Sequence, residues 1–159
     1  MKKQTKKPNS FWLKNKHILC IALVTISLLL GVNYRAVAQD NTKYGTDALK
    51  VNMGFNNSAF GYRSLYSNTT GLQNTASGSG ALENNTTAGE NSAFGYQSLN
   101  SNTTGSINTA SGSRTLQHNT TGSSNTANGY AALTWNSTGS SNTANGSFAL
   151  GSNTTGSNN

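Results

Sequence analysis

An unbroken 17-residue period constrains the fold of this chain more than any other feature. From Asn57 to Asn159 the same pattern returns every 17 positions without insertion or deletion, which gives six full copies over 57–158 and the start of a seventh. A strict period of this length is typical of a solenoid, in which each repeat forms one coil that stacks on the next. Such a stack presents long faces rather than one catalytic pocket, so we expect a structural or binding protein.

Six positions of the repeat, counted from Asn57 as position one, hold the same residue in every full copy. They are Asn at one, Ala at three, Gly at five, Leu at nine, Asn at twelve and Thr at fourteen. The structural repeat positions are Asn57, Ala59, Gly61, Leu65, Asn68 and Thr70 in the first copy, Asn91, Ala93, Gly95 and Leu99 in the third, and Asn125, Ala127, Gly129 and Leu133 in the fifth.

These recurrences predict an all-β fold, a parallel β-roll or β-solenoid with one 17-residue repeat per coil. Gly at position five, and nearly always at fifteen, supplies permissive backbone angles for two turns per coil. The two stretches between the turns are short enough for β-strands. Ala and Leu, the constant apolar residues, should point inward, and the Asn side chains should cap turns and stack in ladders. Helix is disfavoured by the composition and by the apolar spacing.

A second rhythm alternates large and small residues along the chain. Position six alternates between Tyr and Ser in all six copies, and position four begins as Phe, Ser, Phe, Ser before two Asn residues. The alternation is consistent with aromatic rings that interleave with small neighbours, and equally with duplication of a 34-residue unit.

The N-terminal segment predicts export. A Lys-rich start, an apolar run over 18–32 and the small residues Ala36-Val37-Ala38 predict a signal peptide over 1–38, cleaved after Ala38. The apolar run is short for a membrane span, so an uncleaved anchor is the less favoured alternative. Cys20 is interpreted as a packing residue of this segment. We expect no membrane span in the mature chain.

Two further expectations concern the ends of the repeat array. Residues 39–56 predict a linker and a degenerate capping repeat, because Asn and Gly recur there in repeat order with one residue missing. Residues 57–159 form the repeat domain, and the stop at the start of a new copy suggests a truncated product or fragment.

Charge and cysteine content exclude several classes of function. The pI of about 9.8 belongs mainly to the leader. Beyond residue 38, the four basic residues Lys43, Lys50, Arg63 and Arg114 are matched by the four acidic residues Asp40, Asp47, Glu83 and Glu90. This neutral chain has no basic stripe for nucleic acid. It has no Cys beyond residue 38, so a disulfide framework is excluded.

The sequence predicts no enzyme, no catalytic residues, no metal site and no cofactor. His118 lies at a variable position and lacks a nucleophile or orienting partner, so we expect an exposed variant. Glu83 and Glu90 are interpreted as solvated loop charges, and no metal-ligand spacing is present. Trp135 is expected to be exposed, as a candidate contact residue. The Asn-x-Ser/Thr motifs, copied with the repeat, do not by themselves indicate glycosylation.

The repeated Asn-Thr-Ala-x-Gly, Ala-Leu and Asn-Thr-Thr-Gly motifs, as in Asn125–Leu133 and Asn102–Gly105, resemble the YadA-like head repeats of trimeric autotransporter adhesins. They also resemble repeats of bacterial surface and phage tail-fibre proteins. The resemblance covers 57–159 well and 41–56 weakly. It implies a left-handed parallel β-roll, three chains side by side, and adhesion to host or matrix surfaces from the outer membrane. The family's coil is shorter than 17 residues, and its coiled-coil stalk and anchoring barrel are absent from this chain.

The sequence is compatible with three functions. The leading one is an exported adhesive or structural segment of the bacterial surface that acts through many coils. Because one Leu and one Ala per coil bury little apolar area against the entropy of ordering 17 residues, we also expect a homo-oligomer, a trimer by resemblance. The alternatives are an ice-binding β-solenoid, weakened by adjacent rather than alternating Thr residues, and a repeat fragment of a larger surface protein, tail fibre or enzyme.

Overall fold

The structure, a computed structural model, describes residues 41–159 of the 159-residue chain. The predicted signal peptide over 1–38 and its cleavage after Ala38 lie outside the described residues. Residues 41–159 belong to one compact unit.

Seven parallel strands of three residues each form a single sheet in sequence order, within residues 41–159. The strands are β1 (Thr42–Tyr44), β2 (Ser58–Phe60), β3 (Thr75–Ser77), β4 (Ser92–Phe94), β5 (Thr109–Ser111), β6 (Thr126–Asn128) and β7 (Thr143–Asn145). From β2 onward each strand pairs with the next at an offset of 17 residues, as in Ala59 with Ala76. The described residues contain no helix. The predicted β-solenoid with one repeat per coil is confirmed.

The core is a double column of small and branched side chains. The central Ala of β2 to β7 points inward and is buried, as are the Leu residues at position nine in every coil but the last. Leu150 is 38% exposed because only one neighbouring coil covers it. The inward orientation of Ala and Leu is therefore as the sequence predicts.

Only one strand forms per coil, where the sequence predicted two. Positions six to fourteen are mainly turns. The Leu at position nine has a left-handed backbone, with φ of 48° at Leu65 and 51° at Leu99, and the residue two places earlier has the same conformation. An extended strand requires negative φ, so these two residues break the second stretch into turns.

The two glycine positions differ in a way that the sequence did not predict. Glycine at position five has positive φ in every coil, for example 134° at Gly61 and 136° at Gly112. Glycine at position fifteen does not have positive φ, so the expectation of permissive angles there is wrong. A Cβ on Gly71 would instead collide with the carbonyl of Ala88 and the side-chain amides of Asn68 and Asn85. Position fifteen needs a small residue, and Ala88 itself occupies it in the second full coil.

Residues 41–56 form a coil that is one residue shorter than the others. Strand β1 pairs with β2 at an offset of 16, with Thr42 opposite Ser58. Asn41 accepts a hydrogen bond from the backbone N–H of Asn57 at 2.7 Å, as its counterparts do in later coils. The residue missing from this copy therefore leaves the pairing of the strands intact.

Candidate functional surfaces

Buried Asn side chains at position one form a continuous ladder along the solenoid. Asn57 Oδ1 accepts hydrogen bonds from the backbone N–H of Asn74 at 3.0 Å and from Asn74 Nδ2 at 3.1 Å. Asn57 Nδ2 donates to the carbonyl of Gly71 in its own coil at 2.9 Å. Each amide therefore has partners on both its oxygen and its nitrogen, as a fully buried polar group requires.

A second Asn ladder, at position twelve, converges on the same carbonyl. Asn68 Nδ2 donates to Gly71 O at 3.0 Å, and Asn85 Nδ2 donates to Asn68 Oδ1 at 2.8 Å. The carbonyl at position fifteen thus receives two amide donors within each coil. The ladders predicted from the sequence are confirmed, and they explain why Asn57, Asn68, Asn91 and Asn125 are structural residues.

The two Thr positions of the repeat have different environments. At position thirteen the hydroxyl bonds to the next coil, as when Thr69 Oγ1 donates to the carbonyl of Thr86 at 2.9 Å. At position fourteen the side chain is exposed, which places Thr70 and its counterparts in one solvent-facing column. Position fourteen lies outside the strands, which cover positions two to four, so the exposed Thr residues form a single column and not an alternating Thr pair on one strand.

Exposed aromatic side chains lie at the ends of several strands. Tyr44 at the end of β1 is 79% exposed and lies beside Phe60 in register, and from Phe60 onward the aromatic residues fall on alternate coils. Phe60 and Phe94 are 42% and 44% exposed at the ends of β2 and β4, and Ser77 lies between them in register. Tyr62 and Tyr96, two residues further on, are 54% and 48% exposed. Tyr130 continues the series at position six, where it is 45% exposed and contacts the ring of Phe148 edge-on at 5.3 Å. We refer to Phe60, Tyr62, Phe94, Tyr96 and Tyr130 as the aromatic array.

A stacked pair lies at position eleven of two adjacent coils. The rings of His118 and Trp135 are parallel, with their centroids 4.2 Å apart and their planes 5° apart. Trp135 is exposed, as predicted, whereas His118 is half-buried by this contact. Position eleven of adjacent coils places the two rings one above the other, so the shared position in the repeat is the sequence signal for this contact.

A charged cluster links the first coils. Arg63 pairs with Glu83 at 2.9 Å and lies 4.4 Å from the ring centre of Tyr66, and Asn100 Nδ2 donates to Glu83 at 3.1 Å. Glu83, at position ten, is therefore not the solvated charge that the sequence predicted, because it pairs with Arg63 at position seven of the preceding coil. Glu90 is exposed as expected.

One further ion pair joins two residues of the first coil. Lys50 Nζ lies 3.2 Å from Asp47 Oδ1, and the hydrogen bond that the lysine donates to this carboxylate, together with the negative charge of the carboxylate, raises the pKa of Lys50. The pair is exposed, so it contributes little to stability.

The described residues offer little that resembles a catalytic centre. Among residues 41–159, no three His, Cys, Asp or Glu side chains lie close enough to hold a metal ion. A shallow groove of about 270 Å³ runs beside Leu72, Gln73, Glu90 and Ile107. Its lining contains one carboxylate, that of Glu90, and the hydroxyl groups of Thr70, Thr87 and Ser106, without a histidine or a second carboxylate. No helix capable of crossing a membrane occurs between residues 41 and 159.

Comparison with protein-family models, curated proteins and solved structures gives no match.

Proposed function

We propose that this chain is an exported, non-enzymatic repeat protein, displayed at the bacterial cell surface or secreted, that acts as an adhesive and structural rod. The observation that carries the proposal is the repetition of the outer face. Coils of the same length and register place related side chains at regular intervals along the sheet, from β2 to β7. A repeated face can engage an extended surface through many weak contacts, with an avidity greater than that of any one contact.

The proposal includes association of identical chains, as a trimer by resemblance to the adhesin heads. Its physical support is the thin core, which consists of one Leu column and one Ala column with occasional further Ala residues. Burial of a further face of each coil would add apolar contacts that one chain lacks. Sedimentation of the processed protein tests this part, and a stable folded monomer would contradict it.

Adhesion is tested by binding of the purified, processed protein to immobilised matrix proteins, host cells and bacterial surfaces. We expect saturable binding that weakens sharply when the number of coils is reduced, because avidity falls with the number of contacts. Failure to bind any of these surfaces would leave only the structural role.

Ice binding is a second candidate, favoured by the exposed Thr column at position fourteen. Its weakness is that this column is a single file, whereas a flat ice plane favours Thr residues that alternate on one strand face. Thermal hysteresis in the processed protein, abolished when Thr104 and Thr121 are replaced by Val, would place this function ahead of adhesion.

A further inference from the structure

We infer that the aromatic array is a binding site for an uncharged β-1,4-linked glycan, with one disaccharide unit of the glycan for every two coils. This inference rests on the proposed adhesive function and names the ligand class of that function. It follows from the spacing of the rings, from the absence of charge on this face and from the area that the rings present.

The rings of the aromatic array recur at a regular distance along the solenoid. Parallel strands lie about 4.8 Å apart, so residues two coils apart lie roughly 9.5 Å apart. Phe60 and Phe94 are separated by two coils in the register of the sheet, and Tyr62 and Tyr96 have the same separation in sequence. A β-1,4-linked pyranose chain is an extended ribbon in which successive rings are turned by about half a turn. The same ring face therefore recurs once per disaccharide, at a distance close to two coils.

The chemistry of the face suits such a ribbon. The C–H face of a pyranose packs against the electron-rich face of an aromatic ring, and the Tyr hydroxyl group adds a hydrogen-bonding handle. Between the aromatic coils lie Ser77, Ser79, Ser111 and Ser113, whose hydroxyl groups can bond to the sugar hydroxyls. The alternation of large and small residues thus matches a ligand that alternates between stacked and hydrogen-bonded rings.

The face that carries the aromatic array is uncharged. At positions two, four and six of the coils from residue 57 onward, the face carries no Lys, Arg, Asp or Glu. A polyanionic glycan would leave its charges without partners on this face, whereas a neutral glycan is complementary to it.

The exposed area of the aromatic array favours a glycan over a second copy of this chain as its ligand. A large aromatic side chain offers 150–250 Å² in all, and the five rings of the array are between 42% and 54% exposed, so together they present roughly 500 Å². A stable protein interface needs about 800 Å² from each partner. The array is therefore small for a dimer interface, but each ring is large enough to stack on one sugar.

Binding of cellohexaose and chitohexaose to the full chain, expressed with its N-terminal segment, tests the inference by calorimetry. We expect at least one of them to bind, and cellobiose and the α-1,4-linked maltohexaose to bind at least tenfold more weakly. Cellobiose would lack a second stacking contact, and the curved chain of maltohexaose would not follow the straight array.

The repeat supplies variants that preserve the fold. In Phe94→Ser/Tyr96→Ser the central aromatic coil takes the residues of its neighbours, and we expect affinity to fall roughly tenfold to a hundredfold. In Tyr96→Ser/Ser113→Tyr the composition is unchanged but the two-coil spacing at position six is lost, and affinity should again fall. Ile107→Ser, which removes an apolar side chain exposed elsewhere, should leave affinity unchanged, since Ser124 and Ser141 occupy the same position.

Three results would overturn the inference. One is adhesion to cells or matrix without binding of either hexasaccharide, which would leave the proposed function standing. Another is equal glycan affinity in the two array variants and the parent chain, with circular dichroism showing that all are folded. The third is dissociation of an oligomer by Phe94→Ser/Tyr96→Ser in sedimentation, which would assign the array to a second copy of the chain.

Discussion

At the scale of single residues, the two glycine positions of the repeat are constrained for different reasons, position five by its backbone angle as well as by space, and position fifteen by space alone. Gly112, at position five, combines a φ of 136° with close approach to the backbone of Gly129. Gly122, at position fifteen, lacks the positive φ, but a Cβ there would meet the carbonyl oxygen of Gly139 and the side chains of Asn119 and Asn136 in the position-twelve ladder. Both appear in the sequence only as recurrent glycine, so the sequence alone could not distinguish an angular from a spatial requirement.

Substitution of these two residues separates the effects. We expect Gly112→Ala to lower the free energy of unfolding by roughly 3 kcal/mol, because the strained angle and the backbone collision add. Gly122→Ala should cost clearly less, since Ala88 already occupies the equivalent position in another coil. Chemical denaturation followed by circular dichroism measures both, and equal losses would contradict the distinction.

The Asn ladders give a second prediction at this scale. Asn108 Nδ2 donates to Asn91 Oδ1 at 3.1 Å and to Gly122 O at 2.9 Å. In Asn108→Asp a buried carboxylate oxygen would face these two acceptors, so we expect a loss on the order of 3 kcal/mol at neutral pH. Asn128→Asp, on the exposed face, is the matched control and should cost less than about 1 kcal/mol.

The loss in Asn108→Asp should depend on pH. Burial and the two facing acceptors should raise the pKa of the new carboxyl group in the folded state above its value of about 3.9 in the unfolded chain. The variant should therefore be most stable below about pH 4, where the group is protonated in both states, and lose stability as the pH rises through the folded-state pKa. A loss that stays constant from acidic to neutral pH would contradict this mechanism.

At the scale of the element, the coil is a three-residue strand followed by turns rather than a pair of strands. The sequence predicts the strand at positions two to four, because Ala alternates there with polar residues. It does not predict the left-handed conformation of Leu65 and its counterparts, since Leu has no intrinsic preference for positive φ. That conformation is maintained by the neighbouring coil, as when Leu65 N–H donates to Ala81 O at 3.0 Å. The sequence predicts the alternation of large and small side chains on the exposed face, but it does not predict the ligand of that face.

Stacking between elements predicts that equal substitutions differ with position along the array. Leu99 is fully buried between two coils, so Leu99→Ala should cost about 2–5 kcal/mol through lost burial and a cavity. Leu150 is 38% exposed, so Leu150→Ala should cost about half as much or less. Equal unfolding free energies for the two variants would show that burial between coils is not what stabilises the Leu column.

At the scale of the whole repeat array, within residues 41–159, nearly all pairing joins one coil to the next, and the strand order follows the sequence without a crossover. Such a molecule is close to one-dimensional, with stability set by each coil and by the interfaces between neighbours. The period of 17 residues in the sequence is sufficient to predict this order, because every coil must present the same groups to the next. The structure adds that each coil depends on its neighbour in two ways, because both its backbone and its Asn side chains form hydrogen bonds with the adjacent coil.

This organisation predicts that the chain tolerates loss of a whole coil but not of part of one. Deletion of residues 91–107 removes one period and joins Glu90 to Asn108, so Ala76 should pair with Ala110 in the same register. We expect a folded protein with an unchanged circular dichroism spectrum per residue and a modestly lower unfolding midpoint. Deletion of residues 91–99 should instead be strongly destabilising, because it places Asn102 at position three, Thr104 at position five and Asn108 at position nine, where the intact coil has Ala, Gly and Leu. If both deletions unfolded at the same denaturant concentration, register between adjacent coils would not be what stabilises the rod.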